Sequence, residues 1–219
     1  ERTSNPKDLF RYPRKVVVSI VKNADNILKN IVHKTEQRKI VIITGQRNQG
    51  KTTFLNELSK KLKHKKIPIS GFVAIGKFTN NKKTGFILKD VNSNHEIELC
   101  SREKIGTQKA GKFYFSDAAL EQGKEILSAK NSEKATFTFV DEIGQLELNN
   151  KGWSDSVNLL FENKNTQMIW SVRKDNLKTV IRKFSVSEAT IFDITTDSLE
   201  DVITFLENTK KTGSNLNPF

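Results

Sequence analysis

Hydrophobic residues along the chain form short apolar runs that alternate with stretches of helical spacing. The runs Lys39–Thr44, Thr136–Val140 and Gln167–Val172 are largely apolar, as expected of strands buried on both faces of a sheet. Apolar residues recur every three or four positions over Thr52–Lys63 and Asp197–Asn208, which predicts helices. This alternation is typical of an α/β domain with a mostly parallel sheet and helices on both faces.

Residues 67–115 interrupt the alternation with turn-forming residues. Asn80–Gly85 and Asn92–Asn94 separate short apolar runs, a pattern that predicts hairpins. We therefore expect a small antiparallel meander inserted after the first helix.

The chain divides by composition into three segments. Residues 1–38 contain a polar arm and then an amphipathic helical pattern that begins at Val17. The simpler interpretation is a helix that packs on the core or links to an upstream module. The alternative is a basic amphipathic helix that binds a membrane surface or a protein partner. Residues 39–208 hold the predicted α/β domain, and 209–219 are predicted to be a disordered tail.

Charge and cysteine content limit the classes of partner and compartment. The formal net charge is +12, which is compatible with nucleic-acid binding, but no RNA-binding signature accompanies it, and we favour a lysine-rich surface. No apolar run approaches about 18 residues, so no membrane span is expected. Cys100 is the only cysteine, which excludes an intrachain disulfide and favours a cytoplasmic location. Three isolated histidines have no metal-ligand spacing: His33, His64 and His95.

A glycine-rich loop connects the first predicted strand to the first predicted helix. Its spacing, Gly45, four residues and then Gly50-Lys51-Thr52, is the P-loop pattern in its required strand–loop–helix context. Lys51 is expected to reach the β- and γ-phosphates and the Thr52 hydroxyl to bind Mg²⁺. The predicted nucleotide-binding residues are Gly45, Gln46, Arg47, Asn48, Gln49, Gly50, Lys51, Thr52 and Thr53.

Two adjacent carboxylates follow the second buried strand. Asp141, at the carboxyl end of a strand expected beside the P-loop, is predicted to be a Walker B ligand of Mg²⁺ through its water shell. Glu142 is predicted to orient or deprotonate a water for attack on the γ-phosphorus, with a salt bridge or a helix cap as the alternative. Ser171, at the end of the third strand, is a candidate sensor of the γ-phosphate or of that water, and equally an ordinary strand-end serine.

Phosphoryl transfer also needs positive charge beyond Lys51 and Mg²⁺. Arg47, Arg102 and Arg173 are candidates, and the sequence does not choose among them.

Several motifs, in order, resemble a known family. They are Gly45–Thr52, Gly71-Phe72 with Gly85-Phe86, Leu99–Arg102, Gly111–Tyr114 with Leu120-Glu121, and Val140–Leu148 followed by Trp153. Over roughly Ile40–Leu206 the chain resembles the small nucleoside-triphosphatase family described from thermophilic bacteria and as a cancer-related nucleotide hydrolase.

The resemblance implies a three-layer, RecA-like P-loop fold and Mg²⁺-dependent hydrolysis of several nucleoside triphosphates. Lys51 and Thr52 match the family's Walker A positions, and Asp141 and Glu142 its Walker B positions. Glu147 matches a further acidic position, whose role stays open between catalysis, capping of the Trp153 helix and pairing with a lysine. The stretch Val73–Phe78 and Gln145 depart from the family's pattern, so base selectivity is not carried over.

We therefore expect an enzyme that hydrolyses nucleoside triphosphates. The alternatives are a kinase for a nucleotide or another small molecule, for which no arginine-rich lid is evident, and a nucleotide-gated switch or adaptor that docks on a partner through residues 1–38.

Overall fold

The computed structural model describes residues 40–162 and 167–213. Its strands are β1 Ile40–Gly45, β2 Ile69–Thr79, β3 Lys82–Asp90, β4 Glu96–Ser101, β5 Gln108–Ala110, β6 Phe113–Phe115, β7 Phe137–Ile143, β8 Gln167–Arg173 and β9 Ala189–Asp193. Its helices are α1 Lys51–His64, α2 Asp117–Ile126, α3 Ala129–Ser132, α4 Gln145–Leu148, α5 Ser154–Glu162, α6 Leu177–Lys183 and α7 Leu199–Gly213, and a 3₁₀ turn covers Lys174–Asn176. The predicted arm and amphipathic helix within 1–38 lie outside these residues.

Within the described residues the strands form one mixed sheet. Their order is β5-β6-β4-β3-β2-β7-β8-β1-β9. The pairs β2–β7, β7–β8, β8–β1 and β1–β9 are parallel, and the other four pairs are antiparallel. The prediction of an α/β fold is confirmed, but a sheet with as many antiparallel as parallel pairs is not mostly parallel.

The predicted meander is part of this sheet, because β2 belongs to both halves. Ile69–Phe72 pairs with β7 in parallel, whereas Phe72–Thr79 pairs with β3 in the antiparallel direction. The first residues of β2 are buried and the last are exposed. The meander therefore extends the main sheet from β2 and is not a separate insertion.

Helices cover both faces of the sheet, and each face has its own hydrophobic core. Because side chains alternate along a strand, Ile40 and Ile42 of β1 point to one core while Val41 and Ile43 point to the other. One core also holds α2, α5 and α6, and the other holds α1 and α7.

Some helix ends are explained by local chemistry, and others differ from the predictions. The Ser116 hydroxyl accepts a hydrogen bond from the backbone N–H of Ala119, 3.3 Å away, as predicted for the cap of α2. Helix α7 continues to Gly213, beyond the predicted end at Asn208, and the rest of the predicted tail lies outside the described residues. No described helix is long and apolar enough to cross a membrane.

Candidate active site

The P-loop is shaped by backbone conformation and by the Lys51 side chain. Gly50 has a φ of 96°, which favours glycine, and α1 begins directly after it. The Lys51 ammonium donates hydrogen bonds to the carbonyl oxygens of Gly45, at 3.1 Å, and Gln46, at 2.8 Å. The Gln49 side chain accepts a hydrogen bond from the Gln46 N–H at 2.5 Å and closes the loop. The loop thus surrounds a buried cation at the N-terminus of a helix, an arrangement suited to a phosphate chain.

The P-loop opens into a cleft of about 990 Å³. Six of the nine predicted nucleotide-binding residues line it: Arg47, Asn48, Gly50, Lys51, Thr52 and Thr53. Gly45, Gln46 and Gln49 do not line it and instead build the loop through the hydrogen bonds given above.

Asp141 and Glu142 occupy an irregularity in β7. In the pairing with β8, Val140 is opposite Trp170 and Ile143 is opposite Val172, so two residues of β7 face one residue, Ser171. Glu142 has a φ of 58°, which is uncommon for a residue with a side chain. A bulge of this kind redirects side chains, and bulges are frequent next to active sites. Here both carboxylates line the cleft.

The Asp141 carboxylate is buried, with 1% of the residue exposed. It accepts hydrogen bonds from the Ala74 N–H, at 2.9 Å, and from the Ser171 hydroxyl. Burial raises the pKa of Asp141, and hydrogen bonds from Ser171, Ala74 and the Thr52 side chain oppose that rise. The structure thus brings the two predicted metal ligands, Thr52 and Asp141, together.

Glu142 is in a different environment from its neighbour. Its side chain is 30% exposed and forms an ion pair with Arg173, with a distance of 2.5 Å between Oε1 and Nη2. Burial lowers the pKa of Lys51, and the Glu142 carboxylate is the strongest charge acting in the opposite direction. Glu142 and the P-loop lysine line the same cleft.

Ser171 connects the two carboxylates. Its hydroxyl donates to Asp141 and accepts a hydrogen bond from the Glu142 N–H at 2.8 Å, and the residue is 1% exposed. It lies in the site because β8 is between β1 and β7. The strand that lies between the P-loop strand and the Asp141 strand thus supplies both Ser171 and Arg173.

The three candidate arginines are separated by the fold. Arg47 and Arg173 line the cleft, whereas Arg102, which follows β4, is not among the residues that line it.

Glu147 caps the segment that follows β7. Its carboxylate accepts hydrogen bonds from the N–H groups of Gly144, at 3.0 Å, and Trp153, at 3.3 Å. The residue is 3% exposed, and burial raises its pKa to about 7. Of the roles left open for Glu147, capping ahead of α5 is the one that this geometry shows.

Sequence reasoning missed the part of the cleft that the β2–β3 hairpin supplies. Phe78, Lys83 and Phe86 line the cleft although they lie in the antiparallel half. Turn residues at Asn80 and Asn81 predicted a hairpin, but nothing local predicts that its end reaches the P-loop.

The described residues contain no group of three or more histidine, cysteine, aspartate or glutamate side chains suited to a metal ion. A metal held by one carboxylate, one hydroxyl and the phosphates of a nucleotide needs no such group. The proximity of Thr52 to the buried Asp141 carboxylate fits Mg²⁺, which prefers oxygen ligands and retains several waters.

The chain is similar to proteins whose activity is named. A relative from Saccharolobus solfataricus, nucleoside-triphosphatase THEP1, is 32% identical over 108 residues, which are 49% of this chain and 61% of that protein. THEP1 from Aquifex aeolicus is 22% identical over 183 residues, or 76% of this chain and 98% of the relative.

The fold is also similar to a solved structure. The solution structure of a human cancer-related nucleoside triphosphatase matches with a TM-score of 0.61 and 20% identity, and the match covers 78% of this chain and 98% of that one.

A family profile described as NTPase matches residues 40–204. That range spans most of the chain and includes the P-loop and both carboxylates of the bulge. The chain therefore belongs to this NTPase family, as the motifs of the sequence had indicated.

Proposed function

We propose that the chain hydrolyses nucleoside triphosphates to diphosphates and phosphate at the P-loop, with Mg²⁺ as cofactor. The observation that carries the proposal is the pairing of two unlike carboxylates beside Lys51. Asp141 is buried beside Thr52, whereas Glu142 is partly exposed in the cleft. One environment suits a metal ligand and the other suits a group that handles water.

Binding is assigned to the P-loop and the start of α1. The N–H groups of the loop and the helix terminus would attract the phosphate chain. The Lys51 ammonium, which hydrogen-bonds to the Gly45 and Gln46 carbonyls of the loop, is assigned to the β- and γ-phosphates. Thr52 and Asp141 would hold Mg²⁺, which supplies charge neutralisation to the phosphoryl oxygens when it is bound.

Glu142 is assigned to the attacking water. A water that donates a hydrogen bond to its carboxylate is oriented towards the γ-phosphorus. The water oxygen forms a bond to phosphorus, the bond to the β–γ bridging oxygen breaks, and the water proton moves to Glu142. The Arg173 guanidinium holds this carboxylate in the cleft, while Ser171 fixes the backbone N–H of the same residue.

Lys51, Glu142 and Ser171 thus form the proposed catalytic set, with Ser171 as a positioning residue. The proposal favours hydrolysis over a kinase or a nucleotide-gated switch. The RecA-like subtype, the cytoplasmic location and a protein partner bound through 1–38 stay predictions, and nucleic acid stays a less favoured partner.

The test measures phosphate release from ATP, GTP, CTP and UTP with and without Mg²⁺, for the parent chain and for Glu142→Gln. We expect Mg²⁺-dependent release from several of them and a fall in kcat of at least about 100-fold in the variant, the usual range for loss of a general base. Affinity for a non-hydrolysable triphosphate should be retained, and Lys51→Ala should lose it.

Turnover of Glu142→Gln within about threefold of the parent would refute the role given to Glu142. Binding by the parent chain without phosphate release would instead favour a kinase that lacks its acceptor or a switch that lacks its partner.

A further inference from the structure

The end of the β2–β3 hairpin lies against the P-loop. Its turn residues, Asn80 and Asn81, have φ values of 49° and 59°, as the tight two-residue turns of hairpins require. The strands shift register between Lys77 and Phe78, just before this turn. Beyond the shift, the Lys83 ammonium is 3.3 Å from the side-chain oxygen of Asn48 in the P-loop.

Two aromatic rings lie close to this ammonium. Lys83 Nζ is 5.4 Å from the centroid of the Phe78 ring and 4.8 Å from that of Phe86. Both distances are within the range of a cation–π interaction. These contacts direct the ammonium towards the P-loop, and the side chain lines the same cleft as Lys51.

Within 40–162 and 167–213, no carboxylate forms an ion pair with Lys83. Neighbouring lysines of the antiparallel half form ion pairs, Lys77 with Glu98 at 2.8 Å and Lys89 with Glu96 at 3.4 Å. Among the residues that the structure describes, no carboxylate oxygen lies within 4.0 Å of the Lys83 ammonium. A cation beside the P-loop that no described carboxylate neutralises suits an anionic ligand.

We propose that Lys83 is a phosphate-binding residue that the hairpin delivers to the triphosphate across the P-loop. The inference rests on the proposed function and deepens it, because it assigns a cation that neither the P-loop nor the candidate arginines supply. The effect should be larger for a triphosphate than for a diphosphate, since the γ-phosphoryl group adds negative charge to the chain that Lys83 faces.

Lys82 provides a matched control. It is the adjacent residue of the same strand and carries the same charge, but successive side chains of a strand point to opposite faces. It is exposed and does not line the cleft. Methionine is the informative substitution, because it keeps an unbranched apolar side chain against the two rings and removes only the ammonium.

The experiment measures the affinity of the full chain for a Mg²⁺-bound non-hydrolysable ATP analogue and for ADP. Lys83→Met, Lys83→Arg and Lys82→Met are compared with the parent. We expect Lys83→Met to weaken analogue binding about tenfold and ADP binding less, Lys83→Arg to retain most of the affinity, and Lys82→Met to stay within about twofold. The salt dependence of analogue binding should also be shallower in Lys83→Met alone.

Two results would overturn the inference. One is equal affinity of Lys83→Met and Lys82→Met for the analogue, and the other is a loss of affinity in Lys83→Arg as large as that in Lys83→Met. Either result would mean that the positive charge at position 83 does not bind the phosphates. Urea unfolding of each variant separates weaker binding from a less stable fold. Because binding is measured without turnover, a parent chain that binds the analogue but releases no phosphate from ATP would refute the proposed function alone.

Discussion

The parallel and antiparallel halves of the sheet differ in burial and in what they bring to the cleft. In the parallel half, every residue of β1 and nearly every residue of β7 is buried. In the antiparallel half, most residues of β3 and β4 are partly or fully exposed. The parallel half supplies Lys51, Asp141, Glu142 and Arg173 from a close-packed scaffold, whereas the antiparallel half supplies Lys83 from a hairpin end. The positions of the site residues should therefore depend on core packing in the parallel half and on surface contacts in the antiparallel half.

The largest expected difference is in stability. Phe139 of β7 is fully buried, whereas Phe78 of β2 is 60% exposed. Phe139→Ala should lower the free energy of unfolding by about 3–5 kcal/mol, because it removes a large buried side chain and leaves a cavity. Phe78→Ala should change it by no more than about 0.5 kcal/mol. Urea unfolding followed by fluorescence measures both, and comparable losses would show that the two halves are equally packed.

A smaller effect on stability is expected from Glu147, which lies just after β7. Its carboxylate accepts a hydrogen bond from the Trp153 N–H, and the Trp153 ring packs on Phe72 of β2, the strand that belongs to both halves of the sheet. Burial raises the pKa of Glu147 from 4.5 to about 7. The folded chain therefore keeps this proton up to about pH 7, whereas the unfolded chain loses it near pH 4.5. Stability should fall as the pH rises through this window, by roughly 2–3 kcal/mol.

The prediction is tested by urea unfolding at several pH values between 4.5 and 7.5. Glu147→Gln cannot ionise, so its stability should depend less steeply on pH than that of the parent. Glu121→Gln is the control, because the Glu121 side chain is 71% exposed in its ion pair with Lys124. Parallel pH profiles for the parent and Glu147→Gln would contradict the assignment.

The two halves also differ in how much of them the sequence predicts. The core strands β1, β7 and β8 and the helix α1 were predicted to within a few residues, because an apolar run and a helical period are local signals. In the antiparallel half, β5 has no such signal and was missed.

Parts of the site that depend on long-range pairing were beyond prediction from the sequence. The sequence indicated Asp141 and Glu142, but not the bulge that separates their environments, since the bulge depends on a partner, Ser171, that is 29 and 30 residues away along the chain. Nor did it place β8 between β1 and β7, because strand order is decided by tertiary packing.

The smallest expected effects come from breaking two ion pairs, one in each half of the sheet. Arg173→Ala should lower kcat about tenfold, or roughly 1.4 kcal/mol, because the Glu142 carboxylate loses the cation that holds it in the cleft. Lys77→Ala removes the exposed Lys77–Glu98 pair and should change neither kcat nor stability measurably. Phosphate release and urea unfolding, measured on both variants, provide the comparison.

A double variant separates positioning of Glu142 from direct contact of Arg173 with the phosphate. If Arg173 acts through Glu142, adding Arg173→Ala to Glu142→Gln should lower the residual kcat little further, because the carboxylate that it positions is already absent. An additional tenfold loss in the double variant would instead show that the guanidinium contacts the reacting phosphoryl group itself. In that case Arg173 would act on the same charge as Lys83, and the parallel half would supply phosphate-binding cations from β8 as well as from the P-loop.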